Sequence, residues 1–459
     1  MKTIHDLPQP KGKLVLGNLA EFKDNNKHRV IQRWSDTCGP IFKIRLANQH
    51  FIVSTDPDFN GQVLKNRPDG FSRFNKINEI FQELGIKGVF NAEGSDWKRH
   101  RKVSAEALNA KKISAYYPHI QQTTENLIQL IESKKQPVDF LELCMRYTID
   151  ITTRIAFGHE LNTLQDGENS FQRHLEKVFP AINKRITAPF PSWRYIKSKS
   201  DKELENSLKE VQNVIHEFIE NAQQQLKAND NQASNFLEVL LQESASENFT
   251  TEEVFGNIFT MLLAGEDTTA NSIAWATYFL CEHPEWIVAL RNEANEVYQA
   301  NKVLPHFELI QQLPIAKAIA EEAIRLKPTT PQLFMQANED VTINDVAIKK
   351  DQVVMLQNMH AQLSENYFLD AADFQPERWL KAACPYHAKH HPEVVRAFGA
   401  GPRFCPGMYL AMNEMVVCLS ALAKNFDLRL DNGNKQVDEH FAFTMHPTNL
   451  SIQFQSLVN

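Results

Sequence analysis

The chain has 459 residues, 42% of them hydrophobic, which is ample for a large buried core. Lys and Arg number 49 against 56 Asp and Glu, giving a formal net charge of −7 and excluding a general affinity for nucleic acid. Six cysteines (Cys38, Cys144, Cys281, Cys384, Cys405 and Cys418) lie far apart, with no close pair for zinc, and read as reduced thiols in a cytosol-like compartment.

From the N-terminus, Met1 to Lys11 holds no apolar stretch, so neither a signal-peptide core nor an anchor helix is predicted. Ile41–Arg45 and His50–Ser54 read as two strands of a small sheet. Residues 97–110 are basic and helical, and 116–135 and 201–228 read as amphipathic helices. Residues 231–250, rich in Asn, Ser and Glu, are expected to include a loop. From Thr251 to Glu282 the pattern becomes one long, largely apolar helix, opened by a capping box of Thr250 and Glu253. About 30 residues at 1.5 Å each span roughly 45–48 Å, enough to cross a globular domain. A further helix covers 315–327 and ends at Pro328, short strands follow over 332–356, and a last helix runs over 408–424. No linker, internal repeat or low-complexity tract divides the chain.

Three motifs carry chemistry. The first is the run Phe398-Gly399-Ala400-Gly401-Pro402-Arg403-Phe404-Cys405-Pro406-Gly407. A single thiolate on haem iron favours O–O cleavage, and Cys405 is the candidate. Gly401 and Gly407 would let backbone pass close to a flat macrocycle. Arg403 would pair with a haem propionate, and Phe398 would shield the sulfur. A buried, inert Cys in a Gly-rich turn is the plainer alternative. The second motif, Ala264-Gly265-Glu266-Asp267-Thr268-Thr269, breaks helix propensity inside a buried helix, which points to a functional site. Ala264 and Gly265 are small enough for a flat cofactor to lie against. Thr268 can bond back to a carbonyl one turn earlier, opening a groove for O2. Asp267 with Thr268 forms an acid–alcohol pair able to relay protons. The alternative is a Gly kink with a solvated Asp. The third motif is Glu322-Ala323-Ile324-Arg325, a carboxylate and a guanidinium one turn apart.

These residues, in this order, resemble the cytochrome P450 family, and the resemblance covers nearly the whole chain. It implies a mainly α fold with a small β-rich part, a single catalytic domain over residues 1–459, and a long central helix over haem b (iron protoporphyrin IX). The β-rich part would fall roughly at 38–65 with 332–356. Residues 8–17 resemble the family's proline-rich lead-in. The resemblance implies that Cys405 is the axial iron ligand and that Glu322, Arg325 and Arg378 form a buried structural triad. Trp97 and Arg101 match the family's Trp-x-x-x-Arg signature and, with Arg403, would hold propionates. His100 is a weaker candidate. Lys98, Arg99 and Lys102 would offer a basic patch to an acidic redox partner. Many relatives carry a basic residue near Pro331–Gln336 and a His-Arg-Asp where this chain reads His360-Ala361-Gln362, which puts the full propionate set in doubt. His387, His390 and His391 cluster before the Cys loop, as a metal site or a solvated loop.

The expected activity is a monooxygenase using O2, with electrons from a separate ferredoxin or flavoprotein reductase. The lack of an N-terminal anchor implies a soluble, cytoplasmic, bacterial member. The resemblance places Phe74, Ile86, Phe90, Phe259, Leu263, Thr330, Leu333 and Phe443 against a small hydrophobic substrate: a fatty acid, terpenoid or steroid-like compound. A peroxide-driven hydroxylase, a haem-thiolate sensor and a structural helical protein without haem remain as rivals.

Overall fold

The computed structural model describes residues 1–22, 26–167, 169–188, 190–228, 232–380, 389–433 and 435–457. The chain is mainly helical with small sheets, as the sequence predicts. In chain order the elements used below are α1 (Lys27–Cys38), β1 (Ile41–Leu46), β2 (Gln49–Ser54), α2 (Pro57–Lys65) and β3 (Phe71–Arg73). There follow α3 (Gly94–Ala107), α4 (Phe140–Phe157), α5 (Ser170–Thr187), α6 (Phe236–Glu247) and α7 (Thr251–Glu282). The last are α8 (Pro314–Leu326), β4 (Gln332–Ala337), β5 (Val353–Gln357), α9 (Met408–Asn425), β6 (Asp438–Phe441) and β7 (Met445–Thr448).

The fold divides into two compact units. The first comprises Met1–Glu79, Glu322–Cys405 and Glu439–Met445. Its centre is a five-stranded sheet ordered β1-β2-β5-β4-β3, with β2 and β5 parallel and the other pairs antiparallel. Side chains alternate across a strand, so each face of the sheet builds its own core. Ile52, Phe71, Val354 and Leu356 face Phe59, Val63 and Leu64 of α2. Phe42, Phe51, Val53 and Met355 face Val30, Ile31 and Trp34 of α1. Asp56 caps α2 by accepting from the Phe59 N–H at 2.7 Å, and Pro57 starts the helix where its missing N–H costs nothing.

The second unit comprises Ile80–Glu321, Pro406–Asp438 and His446–Asn459. Its spine is α7. The capping box holds: Thr250 Oγ1 accepts from the Glu253 N–H at 3.3 Å, and Glu253 Oε2 accepts from the Thr250 N–H at 2.9 Å. Asp139 caps α4 through the Glu142 N–H, and Gly158 closes it in the left-handed region at φ 66. The loop expected within 231–250 lies on either side of a helix, α6. Asn235 accepts from the Glu238 N–H at 2.9 Å and starts α6, and Asn248 ends it at φ 54. No helix among the described residues is long and apolar enough to cross a membrane.

Candidate active site

In the first unit, the Cys loop is held by its own backbone. The Cys405 N–H donates to the Phe398 carbonyl at 2.8 Å, and the Phe404 N–H to the Gly401 carbonyl at 3.2 Å. Gly399 and Gly401 adopt φ of 76 and 67, which favour glycine. Gly401 is also demanded by packing. A Cβ there would stand 2.7 Å from the Leu64 carbonyl oxygen and 2.8 Å from Lys65 Cα, at the end of α2. The close approach that needs this glycine is therefore to α2, which corrects the expectation of a macrocycle alone. Gly407, in the second unit, precedes α9 at φ −87, a conformation open to any residue. Cys405 is a half-buried thiol outside any disulfide, and Phe398 and Arg403 are half-buried.

The same unit brings Glu322, Arg325 and Arg378 together, all but sealed from solvent. Glu322 Oε1 accepts from Arg325 Nη2 at 2.7 Å, Arg378 Nε at 3.1 Å and the Gln375 N–H at 3.0 Å. Its Oε2 accepts from Arg325 Nε and Trp379 Nε1, both at 2.8 Å. Arg325 also donates to the carbonyls of Gln362, Ala371 and Asp373, and Arg378 to those of Leu369 and Asp370. One carboxylate thus ties the last turn of α8 to the segment 362–379. Gln375 and Trp379 were not anticipated. Their signal was the Phe374-Gln375-Pro376-Glu377-Arg378-Trp379 run itself. Within the His cluster, His390 packs on Phe368 and Trp379, and His391 pairs with Glu393 at 2.9 Å. His387 lies outside the described residues. Among those described, no group of His, Cys, Asp and Glu could hold a metal ion.

In the second unit, Thr268 Oγ1 donates to the Ala264 carbonyl at 2.7 Å, and Ser272 Oγ to the Thr268 carbonyl at 2.8 Å. Asp267 is half-buried and its Oδ1 accepts from Asn271 Nδ2 at 3.3 Å. Ala264 is exposed in the middle of a helix that is otherwise largely buried. Gly265 faces elsewhere. A Cβ on it would stand 3.0 Å from Thr152 Oγ1 and 3.2 Å from Thr152 Cγ2 on α4. Gly265 therefore serves the close approach of two helices, and Ala264 alone keeps the face expected of both. Glu266, beside it, is 5% exposed. Burial pushes its carboxyl well above the usual carboxylate range, and the charges of Glu176 and Asp267 push it further.

Trp97 and Arg101 share one face of α3, Trp97 buried and Arg101 half-buried. Their neighbours are committed to other partners. Asn257 Nδ2 donates to His100 Nδ1 at 2.7 Å, and His100 Nε2 lies 3.5 Å from Glu253 Oε1. Arg99 pairs with Glu253 at 2.6 Å, and Lys102 with Glu247 at 2.5 Å. The expected basic patch is therefore largely neutralised within the unit.

The apolar residues expected around a substrate separate into two groups. Ile86 and Phe259 have no exposure and Leu263 only 3%, so they are core and not lining. Phe90 is half-buried against Phe81, ring centroids 5.1 Å apart. In the first unit, Phe74 packs on Phe51 and Phe334 at 6.2 and 6.4 Å, and Leu333 lies half-buried on the sheet. Thr330 and Phe443 are half-buried, and the Met445 N–H donates to the Thr329 carbonyl at 2.8 Å, joining their two segments.

The donor types of each unit suit a haem: in the first, the half-buried Cys405 thiol for iron and Arg403 for a carboxylate; in the second, Arg101 and Trp97 for carboxylates and the exposed Ala264 on a buried helix. The family model for cytochrome P450 matches residues 7–454. A putative cytochrome P450, cyp-13B1, of Caenorhabditis elegans is 26% identical, over 91% of this chain and 88% of that protein. Melianol synthase CYP71BQ5 of Azadirachta indica is 25% identical, over 95% and 89%. Protein LUTEIN DEFICIENT 5, chloroplastic, of Arabidopsis thaliana is 23% identical, over 90% and 71%. All three relatives are eukaryotic, so the expectation of a bacterial member gains no support.

Proposed function

The chain belongs to the cytochrome P450 family and is a haem-thiolate monooxygenase, and on that premise we propose that it oxidises a small hydrophobic substrate such as a fatty acid, terpenoid or steroid-like compound. Its electrons come from a separate ferredoxin or flavoprotein reductase. The observation that carries the oxygen chemistry is the Thr268 hydroxyl, turned back onto the Ala264 carbonyl beside Asp267.

Haem b, when bound, supplies the activation of O2. Cys405 would hold its iron as a thiolate, in a loop that the hydrogen bond from Cys405 N–H to the Phe398 carbonyl fixes. Arg101, Arg403 and Trp97 would bind its propionates, and Phe398 would keep water from the sulfur. Glu322, Arg325 and Arg378 brace the segment 362–379 and take no part in chemistry. Asp267 takes up a proton at its carboxyl and passes it on through Thr268 Oγ1. The lining residues Phe74, Phe90, Leu333 and Phe443 are apolar and bind by excluding water, with no polar anchor among them. A cytoplasmic setting belongs to the same reading, resting on scattered cysteines, of which the five described lie outside any disulfide.

The test is a titration of the haem-loaded protein with fatty acids, terpenoids and steroids, watching the Soret band. A saturable shift toward high spin with one class names the substrate. No shift across the panel, with an intact Soret band, contradicts the apolar pocket.

A further inference from the structure

Three successive apolar side chains of the first unit, Leu14, Val15 and Leu16, stand in solvent at 94%, 77% and 43% exposure. Apolar residues exposed singly are ordinary, but a run of three forms a patch. The reaction described above gives it no role. Its backbone is firmly held. Lys13 and Gly17 exchange two N–H to carbonyl hydrogen bonds, both 2.8 Å. Arg45 of β1 gathers three successive carbonyls: Nη2 donates to Lys13 at 3.1 Å and Leu14 at 2.6 Å, and Nη1 to Val15 at 3.0 Å. The Leu16 carbonyl accepts from the Ala47 N–H at 3.1 Å. Every carbonyl from Lys13 to Gly17 is therefore hydrogen-bonded within the protein. Gly17 closes the tip at φ 59, and a Cβ there would stand 2.2 Å from the Arg45 carbonyl oxygen.

Charge follows the same surface. Residues 7–20 and 41–54 carry Lys11, Lys13, Lys43 and Arg45 and no acid, in a chain whose net charge is −7. Lys43 donates to the His5 carbonyl at 2.7 Å. Lys11 and Lys13 are exposed, and among the described residues neither ammonium has an ion-pair partner. The flanking acids in the chain are Asp6, whose carboxylate accepts from Thr3, and Glu21.

We propose that this tip docks the protein reversibly on an anionic lipid surface. Leu14, Val15 and Leu16 enter the boundary between headgroups and acyl chains, and Lys11 and Lys13 stay among the lipid anions. The paired carbonyls favour lipid over a protein partner. A bilayer removes water from an inserted tip on all sides at once, so each carbonyl needs an internal acceptor's bond, whereas a protein would cover one face. The fixed backbone also lowers the ordering cost of docking.

The test is flotation of the full-length protein with vesicles of equal parts phosphatidylcholine and phosphatidylserine, beside vesicles of phosphatidylcholine alone. Wild type should float with the anionic vesicles, less with the neutral ones, and less as salt rises. The pair Leu14→Asp and Val15→Ser, and separately the pair Lys11→Glu and Lys13→Glu, should each weaken binding by about tenfold or more, with melting temperature and Soret spectrum unchanged. Emission of Val15→Trp should shift to the blue on the anionic vesicles. Wild type that does not float, binding that survives either pair, or an unmoved Val15→Trp emission overturns the proposal. A dimer without lipid that Leu14→Asp dissolves, in a protein that does not float, overturns it too and makes the tip a contact between two copies. The Soret spectrum reads the haem site independently of all these outcomes.

Discussion

Glu322 and Arg325, one helical turn apart, are joined by two parallel hydrogen bonds, Nε to Oε2 at 2.8 Å and Nη2 to Oε1 at 2.7 Å, with neither side chain exposed. Bidentate geometry of this kind is the strong form of an ion pair. Its value here is connective: the same carboxylate also takes Arg378, Gln375 and Trp379.

Removing one partner leaves an uncompensated buried charge. Glu322→Gln or Arg378→Ala should therefore cost about 3–5 kcal/mol, read as a fall in melting temperature and in the yield of haem-loaded protein. Arg325→Lys should behave almost as badly, because an ammonium cannot supply the fork that spans Glu322 and three carbonyls. A lysine variant of wild-type stability would refute the bidentate account.

Thr268→Ala removes the hydroxyl that bonds back to Ala264. Product formation with O2 should fall about 100-fold while reductant consumption continues, and Asp267→Asn should act similarly. If either variant keeps full turnover with O2, proton delivery runs elsewhere. Undiminished turnover under peroxide, in wild type and variants alike, would favour the peroxide-driven alternative.

Gly265→Ala brings a methyl within 3.0 Å of Thr152 Oγ1 and should destabilise by about 1–3 kcal/mol. Thr152→Ala clears both close atoms, leaving only Cβ at 3.8 Å. The double variant should recover most of the loss, because residues in contact do not act additively. Chemical denaturation of the four proteins measures the coupling; simple additivity would show that α4 and α7 do not meet there.

A second charged cluster gives a pH prediction. Burial raises the Glu439 carboxyl, but hydrogen bonds from His28 and Arg29 and the charge of Lys327 outweigh it and hold it far below the usual range. Lys27, beside it in sequence to His28, has its ammonium over the Phe441 ring at 4.5 Å, and burial lowers it from 10.5 to about 8. Between those values the unfolded chain binds a proton that the folded chain has released, so stability rises with pH. Below about 8 both states are protonated and the penalty is fully present. Lys27→Met should abolish that rise and stabilise at neutral pH by on the order of 2 kcal/mol. For Glu439 the sign is opposite. Its contribution is fully present above about 4.5 and is lost as pH falls below that, a loss that Glu439→Gln should remove.

Local signals made much of this legible. The capping box and the apolar run placed α7 at Thr251–Glu282, and alternation placed β1 and β2 within a residue. The Cys405 loop and the Asp267–Thr268 pair declared themselves through residue types that are poor choices for ordinary structure. What the pattern could not assign was direction. Gly265 reads as a cofactor-facing residue until α4 is seen against it. His100 and Asn257 meet across 157 residues, a pairing no spacing encodes. Ile86 and Phe259 are as apolar as any pocket wall, and only burial shows that they are core. Glu439 was invisible because its partners Arg29 and Lys327 come from distant segments.

The central claim is that Cys405 binds haem iron as a thiolate. Its most direct test is the absorption spectrum of the reduced, carbon monoxide-bound protein, wild type beside Cys405→Ser and Cys405→His. The account predicts a strongly red-shifted Soret band in wild type that is lost in both variants. A wild type without that band, or a Cys405→Ser protein that keeps it, would contradict the assignment and the mechanism built on it.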